Sequence, residues 1–327
     1  SQGAGPGPDM SSRTAILASF TALIDQAVAA AGLSRSDVFG AGISLYGSVD
    51  PTTGTVYSWT ETPGLYNTWK NFNVRQGLLE RWPLPHVYVD DVVRTLGLAE
   101  MLYGGAAPAG EDFVFILADT GVGAALMING QPYVGPSQLS GEVGHLPLNH
   151  EPIPCSCGNV GCLETIASVH AVVDRINHRL NEIQVESSLS ALNHAPKVED
   201  IIAAAQAGDK LAYRVLTEAG EALGRGIAIT LNLFGSSRVV LGGVLSSSEA
   251  YLDAAQRAVR LNTLSKVSQS LQFERSALDE FAAARGAAGM VLNALFQPGD
   301  ASALALDNIG HRQDEISQAK TQDPQNH

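Results

Sequence analysis

All three cysteines of this 327-residue chain lie within one ten-residue segment, CSCGNVGCLE. Thiolates at the spacing C-x-C-x4-C can converge on one soft cation, and the glycines between them permit the tight turns that this requires. Zinc in a structural site takes four tetrahedral ligands, so Cys155, Cys157 and Cys162 need a fourth from elsewhere. His145 and His150 precede them and are the two candidates. The segment therefore predicts a structural zinc site.

The alternative is that the three cysteines are buried as small apolar side chains. It does not explain why they crowd into a glycine-rich segment while the rest of the chain has none. An odd number of cysteines makes no complete disulfide framework, which favours a reducing cytoplasm.

Length and charge restrict the classes of function. A chain of 327 residues is too long for one ordinary core, so two lobes are expected. The formal net charge of −13 argues against nucleic-acid binding by this chain itself, because phosphate neutralisation needs a basic face. Neither a signal peptide nor an apolar run of the roughly 20 residues that span a bilayer is visible, so no membrane association is expected.

Strand and helix patterns alternate along the chain, which predicts an α/β fold. Asn129-Gly130 is a strong two-residue hairpin signal. Buried strands are predicted over residues 38–45, 86–90, 113–119 and 238–243, and helices over residues 13–31, 92–103, 163–180, 198–234 and 284–296.

The composition suggests five parts. A glycine- and proline-rich start is expected to be disordered, and a Gly/Ala/Pro stretch separates two lobes. The predicted boundaries are 1–10 for the disordered start, 11–108 for an amino-terminal lobe, 109–285 for a larger lobe with the zinc loop, 286–298 for a helix that returns to the first lobe, and 299–327 for a polar tail.

The segment GEVGH, whose histidine lies ten residues before Cys155, followed by C-x-C-G-x-x-G-C-L-E, resembles the signature of the ROK family of bacterial sugar kinases and sugar-responsive repressors. The segments GAGISLYGSVDPTTG, VYVDDVVRTLGLAEMLYG, ADTGVGAALMINGQPYVG and VVLGGVLS extend the likeness over residues 11–297. The resemblance implies an actin-like, ribonuclease H-like ATPase fold of two lobes with a sugar between them.

The resemblance also implies roles for the residues around the cysteines. His145 becomes the fourth zinc ligand, which also faces the sugar, and His150 a loop histidine. Glu142 and Glu164 match the two glutamates that contact the sugar in this family. From the residues alone, Glu142 is equally a solvated loop acid, and Glu164 a first-turn acid favoured by the helix dipole.

Two further sugar-side positions depart from the family pattern. Gly47 lies in Tyr46-Gly47-Ser48, where the family has Pro-Gly-Pro. Glu61 lies in TETPG, at the position of a family asparagine. The resemblance implies that both residues contact the sugar. Because the segments around them differ from the family pattern, the identity of the sugar stays open.

Kinase chemistry needs a carboxylate base and backbone amides around ATP phosphates. Asp91 is the candidate base and Asp90 the second choice, although a helix cap explains either residue nearly as well. The resemblance assigns cofactor binding to Thr120, Gly121 and Gly123 on the phosphate side and to Gly242 and Gly243 on the adenosine side. A tight strand turn accounts equally for the first loop, and Asp119 stands where family kinases commonly carry glycine.

Family kinases also open with a hairpin that carries D-x-G-G-T, and no such sequence occurs here. The segment GAGPGPD near the start is a poor substitute. We therefore expect an amino-terminal lobe without its first hairpin, and a sheet edge left open to association.

Three functions fit these observations. The first is the sugar-sensing, zinc-containing effector and dimerisation region of a ROK-type regulator, which would contact DNA only through a domain outside this chain. The second is an ATP- and Mg2+-dependent sugar kinase of the glucokinase, fructokinase or N-acetyl-amino-sugar type. The third is a non-catalytic protein that binds a sugar. The expected partners are a sugar or amino sugar and a second copy of the chain, and enzyme activity stays open.

Overall fold

The computed structural model describes residues 12–58, 70–107, 110–182 and 186–296. The predicted sugar-side residue Glu61 and the segment GAGPGPD lie outside these ranges. The described strands are β1 (Gly40–Leu45), β2 (Ser48–Asp50), β3 (Thr55–Ser58), β4 (Phe72–Asn73), β5 (His86–Asp91), β6 (Phe113–Ala118), β7 (Val122–Ile128), β8 (Gln131–Pro132), β9 (Arg238–Gly242) and β10 (Gln272–Arg275). The described helices are α1 (Arg13–Ala30), α2 (Val74–Arg81), α3 (Val92–Tyr103), α4 (Glu164–Ala167), α5 (Val169–Glu182), α6 (Val198–Gln206), α7 (Lys210–Phe234), α8 (Glu249–Asn262), α9 (Ser265–Ser270) and α10 (Ala282–Phe296).

The first part of the chain builds two small sheets around one apolar core. Strands β1 and β5 run parallel, while β2, β3 and β4 form an antiparallel sheet beside them. Helix α1 is capped by Ser12, whose side chain accepts a hydrogen bond from the Ala15 amide, and it buries Ile16 and Leu17 in this core. The parallel register carries Asp91 to the same level as Leu45, so the ends of both strands meet at one edge.

A larger sheet, in the order β10-β9-β6-β7-β8, organises the second part. All six residues of β6 are buried, as expected for a strand covered on both faces. The turn between β7 and β8 is the predicted one: Asn129 and Gly130 have φ of 50° and 74°, which a two-residue hairpin of this type requires. Helices α7 and α8 pack together against one face of this sheet.

The two long helical stretches predicted over 163–180 and 198–234 are helical, but each is divided into two helices. Ser168 has extended backbone angles between α4 and α5, and its hydroxyl accepts a hydrogen bond from the Ala171 amide. Gly208, with φ of 92°, separates α6 from α7, and the Asp209 carboxylate accepts from the Ala212 amide. In both places a capping side chain outweighs the continuous apolar pattern.

Helix α10 packs against β1, β5 and α3 from the first part of the chain. The contact is close enough to require glycine, because a Cβ on Gly42 would collide with the Ala287 carbonyl, and one on Gly286 with the Thr95 carbonyl. The last described helix therefore sits on elements that come some 190 residues or more earlier. None of the described helices is long and apolar enough to cross a membrane.

Candidate functional site

The three thiols and the His145 imidazole converge on one point. Their ligand atoms all lie within 4.8 Å of one another. The Cys155 sulfur is 3.6 Å from Nδ1 of His145, and the sulfurs of Cys157 and Cys162 are 3.7 Å apart. This His/Cys3 group could hold a metal ion.

Backbone hydrogen bonds shape the cysteine loop. The Cys155 amide donates to the Asn159 carbonyl at 2.8 Å, and the Gly158 amide donates back to the Cys155 carbonyl at 3.0 Å. Gly158 has φ of 94°, a conformation that side chains resist. Gly161 has φ of 70°, and a Cβ there would meet the Asn149 carbonyl oxygen at 2.7 Å. The glycines that the sequence places between the cysteines are thus those on which this turn depends.

The segment Gly141–His145 lies directly against β7. A Cβ on Gly141 would collide with the Ala124 carbonyl, and one on Gly144 with the Val122 carbonyl. The Ala124 amide donates to the Gly141 carbonyl at 2.8 Å, which ties the segment to the strand. This close approach positions Glu142 and His145 at the mouth of a cleft.

The cleft lies between the two parts of the chain and contains about 700 Å³ of space, part of it open to solvent. Seven of the predicted site residues meet here. Its lining includes Gly47, Asp91, Gly121, Gly123, Glu142, His145 and Glu164.

His145 belongs to both the cysteine group and the cleft. Its Nδ1 faces the Cys155 sulfur, and its Nε2 lies 3.6 Å from Oε2 of Glu142. Glu164 is the first residue of α4 and also lines the cleft, and its Oε2 accepts a hydrogen bond from the Val122 amide at 3.1 Å. Two carboxylates and an imidazole are therefore arranged around the same space. His150 is outside the cysteine group.

The two aspartates at the end of β5 have different surroundings. Asp91 lines the cleft, but Oδ1 accepts from the Val93 and Arg94 amides at 2.8 and 2.9 Å, and Oδ2 lies 2.7 Å from Nη1 of Arg94. Asp90 is buried and accepts from Nε of Arg94 at 2.8 Å. Asp91 is thus the amino-terminal cap of α3 and also an ion-pair partner.

Arg94 is a residue that sequence reasoning missed. It is 3% exposed and also donates to the Val49 and Gln138 carbonyls, so it joins β2 to a loop of the second part. Its signal was a lone arginine within the apolar run VVRTLGLA, four residues after Asp90 and three after Asp91.

One arginine facing the buried Asp90 and the partly buried Asp91 leaves a net negative charge. Burial and the neighbouring Asp91 raise the pKa of Asp90 to about 6, against the opposing effect of Arg94. Burial also raises the pKa of Asp91, again opposed by Arg94. The group as a whole therefore resists carrying both negative charges.

The predicted cofactor-side glycines are divided between two clefts. Gly121 and Gly123 line the cleft described above, whereas Gly242 and Gly243 line a second one that shares Tyr46, Val92 and Leu117 with it. A Cβ on Gly243 would collide with the Ala118 carbonyl, so the two glycine loops are in close contact.

Known proteins match both the sequence and this arrangement. The chain matches the ROK family over residues 8–294. It is 32% identical over 254 residues to the N-acetylglucosamine repressor of Escherichia coli O157:H7, with 77% of this chain and 60% of the repressor covered. It is 29% identical over 264 residues to the glucokinase of Halalkalibacterium halodurans, with 79% of this chain and 77% of the glucokinase covered.

A crystal structure of a ROK family transcriptional regulator, a homologue of the E. coli Mlc protein, superposes with a TM-score of 0.75 at 31% identity. The superposition covers 86% of this chain and 69% of the regulator, so the chain spans about 60 to 70% of the regulators that it matches. From the family match and the shared architecture, this chain belongs to the ROK family and has its two-lobed, actin-like α/β fold.

Proposed function

We propose that this chain is the sugar-sensing, zinc-containing effector and dimerisation region of a ROK-family transcriptional regulator. The observation that carries the proposal is the placement of His145. One ring nitrogen faces the Cys155 sulfur at 3.6 Å, and the other lies 3.6 Å from the carboxylate of Glu142, which precedes His145 by three residues and lines the cleft with it. A single imidazole thus connects the metal-ligating group to the place where a ligand would bind.

Two of the separations between ligand atoms match those of a tetrahedral zinc site. Tetrahedral bonds of about 2.3 Å to sulfur and about 2.0 Å to nitrogen imply separations of about 3.8 Å between sulfurs and about 3.5 Å between sulfur and nitrogen. The separations here are 3.7 Å for Cys157 to Cys162 and 3.6 Å for Cys155 to His145. When bound, zinc would hold the His145 ring in one orientation.

The cleft has the polar groups that a sugar requires. Carboxylates accept paired hydrogen bonds from adjacent hydroxyls, and Glu142 and Glu164 both line the cleft. Gly47, with φ of 102°, lines the same cleft from the first lobe, in a conformation that favours glycine. The names of the relatives, an N-acetylglucosamine repressor and a glucokinase, point to hexoses or amino hexoses as the ligand class.

A regulator fits the Asp91 environment better than a kinase does. Both oxygens of this carboxylate are already engaged, one with the amides of α3 and the other with Arg94. A general base must instead be available to a substrate hydroxyl. Binding without turnover is therefore the expected behaviour of this cleft.

In the proposed mechanism, a sugar contacts Tyr46–Ser48 from the first lobe and Glu142, His145 and Glu164 from the second. These contacts favour the closed arrangement of the lobes, and so shift a pre-existing equilibrium. DNA would be read by a domain outside residues 1–327, in a dimer in the cytoplasm.

The test is an electrophoretic mobility shift assay on the full-length gene product, with operator DNA from its own locus and a panel of hexoses and amino hexoses. We expect one sugar to change the affinity for DNA, and Glu142→Gln to abolish that response while DNA binding persists. Affinity that no sugar alters, or no DNA binding at all, would contradict the regulator function.

A kinase is the second candidate, because Asp91 lines the cleft and the turn Thr120–Gly123 is intact. A coupled assay for ADP release with the same sugars decides between the two. Turnover in the wild type that Asp91→Asn abolishes would establish the kinase. Sugar binding with neither turnover nor a DNA response would establish the non-catalytic binder.

A further inference from the structure

The turn between β6 and β7 brings a carboxylate to the two glycine loops. Ala118 pairs with Val122, so Asp119, Thr120 and Gly121 form the turn, and the Asp119 amide donates to the Gly121 carbonyl at 3.0 Å. The Asp119 side chain points toward the loop that follows Gly243, because it reaches the Val244 amide.

The amides of these loops already have acceptors from the chain itself. Oδ1 of Asp119 accepts from the Thr120 amide at 2.8 Å, and Oδ2 accepts from the Val244 amide at 3.3 Å. Val244 begins the single helical turn Val244–Ser247 that follows the two glycines. Glu164 accepts from the Val122 amide at 3.1 Å. An anion bound between the loops would need the same amides.

The charges around this position would repel an anion as well. Asp119, Asp279 and Glu280 line the second cleft with Gly242 and Gly243, and among the described residues no lysine, arginine or histidine lines it. Because Asp279 is ion-paired with Arg285 at 2.6 Å, the repulsion of a triphosphate in this cleft would come chiefly from Asp119 and Glu280.

We infer that the Asp119 carboxylate occupies the anion-binding position between the two glycine loops. In this position it excludes nucleotides and other polyphosphates from the cleft beside the sugar site. The inference rests on the proposed function, in which the fold binds a sugar without phosphoryl transfer. Asp119 acts here as a specificity residue: its carboxylate replaces the phosphate that the loops would otherwise receive.

The test measures binding of two probes, inorganic pyrophosphate and the Mg2+ complex of a non-hydrolysable ATP analogue, by calorimetry on the zinc-loaded full chain. Three proteins are compared: the wild type, Asp119→Gly and Asp119→Asn. The asparagine variant keeps an acceptor for the Thr120 amide but lacks the charge, so it is the fallback if the glycine variant does not fold.

We expect the wild type to bind neither probe at millimolar concentration, and Asp119→Gly to bind both at least tenfold more tightly, with Asp119→Asn between them. If the variants bind pyrophosphate more tightly but not the ATP analogue, the result would still support an anion-binding position between the loops. It would give no evidence for a contact with adenosine. Equal affinities in the three proteins, or no binding by any of them, would overturn the inference.

Weaker binding of a probe by a variant than by the wild type would also overturn the inference. If the wild type binds the Mg2+ complex and Asp119→Asn loses it, Asp119 is a ligand of the nucleotide-bound cation. Sugar affinity and zinc content are measured on the same samples. Normal values for both, with no effect at Asp119, would reject this inference alone, whereas a wild type that binds no sugar would reject the proposed function itself.

Discussion

The region of the two adjoining clefts has two halves, one around Glu142 and His145 and one around the two glycine loops. These halves differ in the partners that their polar groups already have. On the side of Glu142 and His145, the imidazole lies 3.6 Å from the Glu142 carboxylate, and the Glu142 side chain is 45% exposed at the cleft. On the side of the glycine loops, the Thr120 and Val244 amides are bonded to Asp119. Each half has a glycine-containing backbone turn beside a cleft. The comparison teaches that such a turn can lie beside a cleft while its amides donate hydrogen bonds to one nearby side chain and not to a ligand.

The largest effect is expected on the open half, from removal of its imidazole. In His145→Ala the proposed zinc loses a ligand, so we expect metal content to fall at least about tenfold from one equivalent, with loss of sugar binding. Metal analysis by mass spectrometry and calorimetry with the sugar measure this. His150→Ala is the matched control, because His150 lies in the same loop but outside the cysteine group. Equal metal loss in both variants would contradict the ligand assignment.

A smaller effect is expected from the two carboxylates of the same half. In Glu142→Gln and Glu164→Gln the side chain keeps its shape but loses its charge. A hydrogen bond to a charged group contributes about 1.5–3 kcal/mol, so the dissociation constant of the sugar should rise about 10- to 100-fold.

Calorimetry measures these dissociation constants, with Glu151→Gln as the control. Glu151 is an exposed acid of the cysteine loop that pairs with Arg175. If that variant weakens sugar binding as much, the effect is one of overall charge and the roles of Glu142 and Glu164 are wrong.

The smallest effect is expected on the pH dependence of stability, and it comes from Asp90, which is buried beside Arg94. Because the pKa of Asp90 is raised to about 6 in the folded chain, the native state binds more protons than the unfolded chain between about pH 4 and 6. The free energy of unfolding should therefore fall as pH rises through this window, on the order of 1–2 kcal/mol for this group.

Denaturant titrations from pH 4 to 7 measure that slope. Loss of the proposed zinc at low pH would act in the opposite direction, so the informative quantity is the difference between the wild type and Asp90→Asn. We expect the asparagine variant to lack the Asp90 component. An identical pH profile in the two proteins would show that Arg94 keeps Asp90 fully ionised.

The parts of the molecule that the sequence predicted are those whose partners are close along the chain. The cysteine loop, the Asn129-Gly130 turn and the buried strand β6 each follow from local spacing and turn chemistry. The family resemblance, carried by GEVGH and the cysteine spacing, supplied the fold class.

What could not be predicted depends on distant contacts. Arg94 meets the Val49 carbonyl 45 residues away, and Asp119 meets Val244 125 residues away. Neither pairing has a periodic or spacing signal, because only the packed lobes bring these groups together. Gly208, which separates α6 from α7, was a signal in the sequence for a break between two helices. The apolar pattern that continues on both sides of it favoured one long helical stretch instead.

The double contact of His145 has a thermodynamic consequence. If an ion on one ring nitrogen and a sugar near the other both favour the same ring orientation, each must tighten the other's binding by the same factor, since such coupling is reciprocal. A given concentration of chelator should then remove less of the ion at equilibrium from sugar-loaded protein. In a cell poor in zinc, the protein would respond less sensitively to its sugar, so one side chain would make a carbohydrate response depend on metal supply.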